Sequence, residues 1–193
     1  AVLIVPETLR TLPDSEFRSG LGEVVKHALL SEDTRLWKFL EENHDRIMAR
    51  DSEALSEMIR LSLEVKIWYI TRDPEEKKGI RSALNLGHTF GHALESVNGF
   101  SISHGEGVAW GMHMALRAGT ALGITPENFR EQAFSLLSLY GFDCRYSIPD
   151  DGFPAFMKAI HSDKKKKGGS VKFVLMEGQG RPVLTALDDA IVR

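Results

Sequence analysis

The chain has 193 residues, 42% hydrophobic and 26% charged, and its 24 basic against 27 acidic residues give a formal net charge of −3. That charge disfavours a dedicated nucleic-acid-binding protein, which is usually clearly basic, and no apolar run approaches the roughly 20 residues of a membrane-spanning helix. A single cysteine, Cys144, excludes an internal disulfide framework and a thiolate zinc cluster.

The first residues have the pattern of one buried strand followed by a linker. AVLIVP at 1–6 is entirely apolar, like an interior strand of a parallel sheet. Since a lone strand leaves its edges unpaired, the sequence predicts that 1–12 is a remnant strand and linker from a preceding domain, with a separate domain at 13–193. No basic n-region precedes the run, which indicates no export signal and a cytoplasmic protein.

Most of the remaining chain has the pattern of helices. Apolar residues recur at steps of three and four in six segments, at roughly 14–28, 34–50, 52–72, 81–97, 105–122 and 126–141, and a short helix is predicted at roughly 152–160. VKFVLM and RPVLTAL then flank a Gly-Gln-Gly turn, which predicts a β-hairpin. The predicted fold class is mainly α, a multi-helix domain with a small C-terminal β-hairpin.

Glycines repeat inside two of these helices. Gly107 and Gly111, followed by Ala115, recur every four residues, as do Gly87 and Gly91. An interior glycine costs a helix about 0.5–1 kcal/mol relative to alanine. The repetition therefore predicts that a backbone or a ligand approaches these helices closely.

The stretch RSALNLGHTFGHALE at 81–95 is the most informative part of the chain. His88 and His92 are four residues apart and so share one face of a helix, and His104 stands at the start of the glycine-rich helix. A helix N-terminus also favours anionic ligands. Any one histidine alone is more often a satisfied core or surface residue, but three so close together, each beside a glycine, favour a metal or substrate site.

The first helix offers a third type of ligand. Glu23, Lys26 and His27 lie opposite its apolar stripe, where the ordinary interpretation is a solvated face with an ion pair. The flanking Gly20 and Gly22 argue against that interpretation. A carboxylate with two imidazoles forms a normal catalytic zinc shell and leaves one position open for substrate.

Other basic residues could bind an anionic substrate. The run DKKKK at 163–167 is ordinarily a solvated loop, although lysines on a loop also bind phosphate as point charges. Lys66, Arg81 and Asn85 have suitable side chains as well, but their spacing alone does not single them out.

Four blocks of the sequence resemble the C-terminal domain of 3-dehydroquinate synthase. They are FRSGLGEVVKHALL, RSALNLGHTFGHALES, HGEGVAWGMHMA and SDKKKKGGSVKFVL, in the family's order from Phe17 to Leu175. LNLGHTFGHA followed by HGE is highly specific. The opening AVLIVPETLRTLP also resembles the last strand of the family's nucleotide-binding domain and the crossing into its helical domain.

The resemblance implies a shikimate-pathway enzyme that converts 3-deoxy-D-arabino-heptulosonate 7-phosphate into 3-dehydroquinate and phosphate. It implies two cofactors, NAD and a divalent metal, Zn2+ or Co2+. By position, the implied metal ligands are Glu23, His88 and His104. In the implied substrate site, Lys26 lies near the metal, and His92 lies near the phosphate as a proton relay. Lys66, Arg81 and Asn85 would bind the carboxylate and other polar groups. Lys164 or Lys165 would bind the phosphate.

One part of the family's pattern is missing from this chain. It has no GxGxxG run and no strand–helix alternation that would build a dinucleotide site, so the family's nucleotide-binding domain would precede Ala1. We therefore expect the chain alone to bind metal but to be inactive. The resemblance further implies a homodimeric full-length enzyme with a sugar-phosphate substrate, and neither nucleic acid nor a membrane as partner.

Three other functions fit parts of the pattern. A related sugar-phosphate cyclase, of the 2-deoxy-scyllo-inosose or 2-epi-5-epi-valiolone synthase type, shares the metal ligands and the NAD chemistry, but Lys66, Arg81 and Asn85 together favour dehydroquinate synthase. A metal-dependent alcohol or glycerol dehydrogenase has no need of a phosphate-binding lysine run. A non-catalytic helical module would use the histidines and glycines for packing and would bind no metal tightly.

Overall fold

The computed structural model describes residues 3–99, 101–144, 146–167 and 171–192, without the side chains of 163–167. Over these residues the chain is mainly helical with one antiparallel hairpin, which confirms the predicted fold class. The described helices and strands are, in chain order, α1 (Asp14–Leu30), α2 (Arg35–Glu42), α3 (His44–Met48), α4 (Ser52–Arg72), α5 (His88–Val97), α6 (His104–Ala121), α7 (Glu127–Leu139), α8 (Phe153–Lys167), β1 (Lys172–Met176), β2 (Pro182–Ala186) and α9 (Asp189–Val192).

Side-chain caps fix where two of the long helices begin. The Asp51 carboxylate accepts a hydrogen bond from the Ala54 N–H at 2.9 Å and so caps α4. At the start of α6, Ser103 and Glu106 form a reciprocal capping box. This box makes His104 the first residue of α6.

Two segments that the sequence predicted as single helices are divided. The segment at 34–50 is interrupted at Asn43, between α2 and α3. The segment at 81–97 consists of a 3-10 helix, Arg81–Asn85, and then α5, because Gly87 has a φ of 81° and a left-handed residue cannot continue an α-helix. The interruption makes His88 the first residue of α5.

The N-terminal segment differs from its prediction in the described residues. Residues 3–5 are exposed and outside any strand, and Pro6–Thr11 forms a 3-10 helix. A strand needs a neighbouring strand for its backbone hydrogen bonds, and the sheet in the described part of the chain contains β1 and β2 alone. The domain boundary after residue 12 stays a prediction.

The centre of the fold is the crossing of α1, α5 and α6. A Cβ atom added at Gly22 would lie 2.6 Å from the carbonyl oxygen of Gly105, and one at Gly91 would lie 2.7 Å from that of Gly107. Real Cβ atoms do not come so close to backbone oxygens, so only glycine permits these crossings. The close backbone approach predicted from the repeated glycines is confirmed, and it brings α6 against both α1 and α5.

Strand β1 of the hairpin packs against α6 and meets α5 at Phe90. In the hairpin, Lys172 pairs with Ala186 and Met176 with Pro182. The centroids of the Phe173 ring in β1 and the Phe90 ring in α5 are 4.9 Å apart. Phe90 is two residues after His88, so it lies on the opposite face of α5.

No helix among the described residues is long and apolar enough to cross a membrane.

Candidate metal centre

Three helices bring one carboxylate and three imidazoles together. Glu23 lies in α1, His88 and His92 in α5, and His104 at the start of α6. The Nε2 atom of His88 is 3.4 Å from Glu23 Oε1, and the Nε2 atom of His104 is 3.8 Å from the same oxygen. One ring nitrogen from each of the three histidines also lies within 4.8 Å of the others.

These separations fit the ligands of a small divalent cation. Ligand atoms at about 2.0–2.1 Å from a tetrahedral zinc ion lie about 3.3 Å apart, close to the separation of His88 Nε2 and Glu23 Oε1. Glu23 Oε1 is buried and accepts no hydrogen bond from any described residue, whereas Oε2 accepts one from Lys26 Nζ at 2.7 Å. A buried carboxylate oxygen without a donor, beside two imidazole nitrogens, is chemically suited to a cation.

Two of the histidine rings are anchored through Nδ1. His88 Nδ1 is 3.2 Å from the carbonyl oxygen of Leu86, and His104 Nδ1 is 3.0 Å from Glu95 Oε1. Both partners are acceptors, so Nδ1 donates in each ring and the Nε2 lone pair is left for a ligand. His92 is exposed and has no hydrogen-bond partner among the described residues.

The protonation states at neutral pH also suit a cation. Burial and the Lys26 charge lower the pKa of His88 to about 4, so the ring is neutral, as a metal ligand must be. Burial opposes ionisation of Glu23, but the charge and hydrogen bond of Lys26, together with the nearby His88 and His27, hold the Glu23 pKa below its ordinary value.

Lys26 and His27 are buried, so the solvated face considered for the first helix is wrong. Burial lowers the pKa of Lys26, and its ion pair with Glu23 offsets part of that effect. His27 Nδ1 lies 2.7 Å from Ser62 Oγ, and burial lowers the pKa of His27 to about 3. The periodicity of α1 did not show this because α4 and α6 both pack against the helix, and a local sequence pattern does not contain those tertiary contacts.

The predicted lysines lie in different parts of the fold. Lys66 is exposed on α4, near enough to Lys26 for its charge to help lower the Lys26 pKa. Lys164 and Lys165 lie in α8, so the lysine run is helical rather than a loop, and their side chains are outside the described part of the structure.

A buried aspartate that the sequence reasoning missed holds the connector before Arg81. Asp73 accepts hydrogen bonds from the backbone N–H groups of Lys77, Lys78 and Arg81, at 2.9, 3.0 and 3.2 Å. Asp73 therefore helps fix the start of the 3-10 helix whose last residue, the exposed Asn85, precedes α5.

Comparison with known proteins identifies relatives over nearly the whole chain. Residues 20–166 match the family model described as 3-dehydroquinate synthase C-terminal. A 3-dehydroquinate synthase from Acidithiobacillus ferrooxidans is 39% identical over 187 residues, and one from Teredinibacter turnerae is 38% identical over 195 residues. These alignments cover 96% and 100% of this chain but 50% and 53% of the relatives, so the chain spans about half their length.

Two solved structures share the fold. The 2-epi-5-epi-valiolone synthase of Streptomyces hygroscopicus, solved with NAD+ and Zn2+, has a TM-score of 0.84 at 20% identity, over 98% of this chain and 52% of that one. A 2-deoxy-scyllo-inosose synthase complexed with carbaglucose-6-phosphate, NAD+ and Co2+ also has a TM-score of 0.84, at 24% identity, over 97% and 53%.

Proposed function

This chain belongs to the 3-dehydroquinate synthase C-terminal family, and from that premise we propose that it is the metal- and substrate-binding half of a 3-dehydroquinate synthase. The observation that carries the proposal is the convergence of Glu23 Oε1 with the Nε2 atoms of His88 and His104. The resemblance also predicts a cytoplasmic homodimer for the full-length enzyme.

The proposed reaction is a carbon–oxygen lyase reaction of the shikimate pathway. It converts 3-deoxy-D-arabino-heptulosonate 7-phosphate into 3-dehydroquinate and phosphate by NAD-dependent oxidation, phosphate elimination, reduction and aldol cyclisation. A bound Zn2+ or Co2+ would supply Lewis-acid polarisation of substrate oxygens, and NAD would carry the hydride. The solved relatives with NAD+ and Zn2+ or Co2+ support both cofactors, and NAD would bind mainly to the half of the enzyme outside this chain.

Glu23, His88 and His104 would hold the metal. Lys26 keeps Glu23 ionised through the 2.7 Å hydrogen bond and would contact the substrate beside the metal. His92 is exposed, with its ring centroid 5.7 Å from that of His104, so it is accessible to substrate and suited to relay a proton near the phosphate.

The remaining proposed residues provide charge and hydrogen bonds to the substrate anion. Lys66, Arg81 and Asn85 would bind its carboxylate and other polar groups, and Lys164 or Lys165 would bind its phosphate. The exposure of Lys66 and Asn85 supports these roles, because an accessible polar side chain can meet a substrate that enters from solvent.

A related sugar-phosphate cyclase is the second candidate, because two such enzymes share the fold at a TM-score of 0.84. Identities of 38–39% to curated 3-dehydroquinate synthases favour the first proposal.

Phosphate release by the full-length protein separates the two candidates. We expect release from 3-deoxy-D-arabino-heptulosonate 7-phosphate, and a large loss of that activity in Arg81→Ala because the substrate loses one of the two cations proposed for its carboxylate and other polar groups. Release only from sugar phosphates that lack a carboxylate would support the related cyclase instead. Release from neither, together with no metal binding, would favour a packing module.

A further inference from the structure

We propose that Glu95 is the positioning residue of His104, a role that rests on the proposed metal site. Glu95 lies in α5, three residues after His92 and seven after His88, so the three side chains share one face of that helix. Its Oε1 atom is 3.0 Å from His104 Nδ1, across the crossing of α5 and α6.

The Glu95 carboxylate is buried and has one partner among the described residues. Glu95 is 8% exposed, and among the described residues His104 is the one that forms a hydrogen bond or ion pair with it. Burying a carboxylate is costly unless it is paired, so Glu95 needs a partner at this position. That partner is His104 Nδ1, the ring nitrogen on the side away from Glu23.

The glycine pattern of α6 provides the space for Glu95. Gly107 stands three residues after His104, and a Cβ atom added there would lie 2.8 Å from Glu95 Oε1. Any larger residue at this position would displace the carboxylate from the ring. Gly107 therefore permits both the α5–α6 contact and the hydrogen bond behind His104.

The contact determines which nitrogen of His104 can bind a metal. The His104 side chain is 48% exposed and begins its helix, so packing alone restrains the ring weakly. A hydrogen bond from Nδ1–H to Glu95 fixes the ring rotation and leaves Nε2 unprotonated towards Glu23. Partners of this kind also make the ligand nitrogen more basic, and their loss typically weakens metal binding about 10–100-fold.

Zinc binding to this chain tests the role, with two substitutions of Glu95 and one control. We expect Glu95→Ala to raise the Kd for Zn2+ about 10–100-fold, and Glu95→Gln to raise it less because the amide keeps an acceptor but loses the charge. Glu106→Gln is the control, since Glu106 is an exposed carboxylate in the same first turn that contacts Ser103 rather than the imidazole, and glutamine keeps the acceptor that completes the capping box. The control should leave the Kd unchanged.

The tautomer of His104 gives a second readout in the metal-free chain. Nitrogen-15 chemical shifts of the ring report which nitrogen carries the proton. We expect Nδ1–H in the unaltered chain and in the control, and a mixture of tautomers in Glu95→Ala. If Glu95→Ala does not fold, Glu95→Gln carries the test, with a weakened Kd as the expected result.

The outcomes separate this role from the proposed function. Unchanged Kd and tautomer in the Glu95 variants, with only a lower Tm, would show that Glu95 acts in packing alone and would overturn the role while leaving the metal site intact. A chain that binds no zinc would contradict the proposed function and this role together.

Discussion

The ion pair between Lys26 and Glu23 links the stability of α1 to the metal centre. Lys26 is 3% exposed and its ammonium nitrogen lies 2.7 Å from Glu23 Oε2. A buried charge is tolerated when it is paired and hydrogen-bonded, and removal of one partner leaves the other desolvated without compensation. The two residues therefore have a structural role even before a metal binds.

Glu23→Ala is expected to destabilise the metal-free chain by about 2 kcal/mol. This is less than the 3–5 kcal/mol typical of a fully buried pair, because the Glu23 side chain is 31% exposed. The double variant Glu23→Ala/Lys26→Met should recover most of the loss, since it removes the unpaired charge. Urea unfolding measures both effects, and a double variant no more stable than Glu23→Ala would contradict this account of Lys26.

The carboxylate of Asp73 is expected to make the stability depend on pH. Burial alone would raise its pKa, but backbone N–H donors outweigh burial and lower the pKa of Asp73 below its ordinary value. A group with a lowered folded pKa contributes stability above its unfolded pKa, and that contribution is lost as the pH falls through the folded value. Asp73→Asn should lower the urea midpoint of unfolding at neutral pH. The midpoint of this variant should also fall less than that of the unaltered chain as the pH is lowered.

A matched change at Asp45 provides the control for Asp73→Asn. The Asp45 side chain is fully exposed, so Asp45→Asn should alter the midpoint little at any pH. Urea unfolding from about pH 7 down to about pH 2 makes the comparison. Equal acid sensitivity of Asp73→Asn and the unaltered chain would contradict the role given to Asp73.

At the scale of helices, glycines set the separation of α1, α5 and α6. Two glycines of α1 differ in their surroundings: a Cβ at Gly20 would meet nothing within 4 Å, whereas one at Gly22 would lie 2.6 Å from the Gly105 carbonyl oxygen. Gly22 therefore belongs to the helix crossing, and Gly20 does not.

Alanine at these two positions should have opposite effects. Gly20→Ala is expected to stabilise the chain by about 0.5–1 kcal/mol through helix propensity. Gly22→Ala should destabilise it by about 1–3 kcal/mol, because α1 must move away from α6. Thermal unfolding of the two variants measures the difference, and a stabilising Gly22→Ala would contradict the close crossing.

Periodicity and capping signals predicted most of the helices but not their interruptions. The Asp51 side chain caps α4, whereas α1 begins at Asp14 behind Pro13 without a side-chain cap, and the hairpin follows from its glycine turn. The interruption at Gly87 was missed because apolar spacing continues across it, and the left-handed conformation depends on tertiary contact with α6.

The candidate site was predictable where residue type and spacing coincide. A ligand residue type and a matching spacing both pointed to the three histidines, His88, His92 and His104. The assignment of Glu23 as a ligand needed the family resemblance. Glu95 and Asp73 carry ordinary acidic side chains with no distinguishing spacing. Their roles arise from burial and from contacts across the fold, which no local pattern contains.

At the scale of the whole molecule, the chain spans about half the length of its curated relatives. We expect the chain alone to bind metal but to release no phosphate from 3-deoxy-D-arabino-heptulosonate 7-phosphate, because the proposed NAD site lies outside it. The full-length protein, assayed in parallel, should release phosphate. Normal turnover by the isolated chain would contradict this division of the active site.

Calorimetric titration of this chain with Zn2+ or Co2+ tests the proposed metal centre most directly. We expect one-to-one binding that Glu23→Ala, His88→Ala and His104→Ala each abolish, and that His92→Ala largely retains. Loss of binding in His92→Ala with retention in Glu23→Ala would instead indicate a site of three histidines, whose ring nitrogens also lie within 4.8 Å of one another. That result would contradict the ligand set on which the proposed function depends.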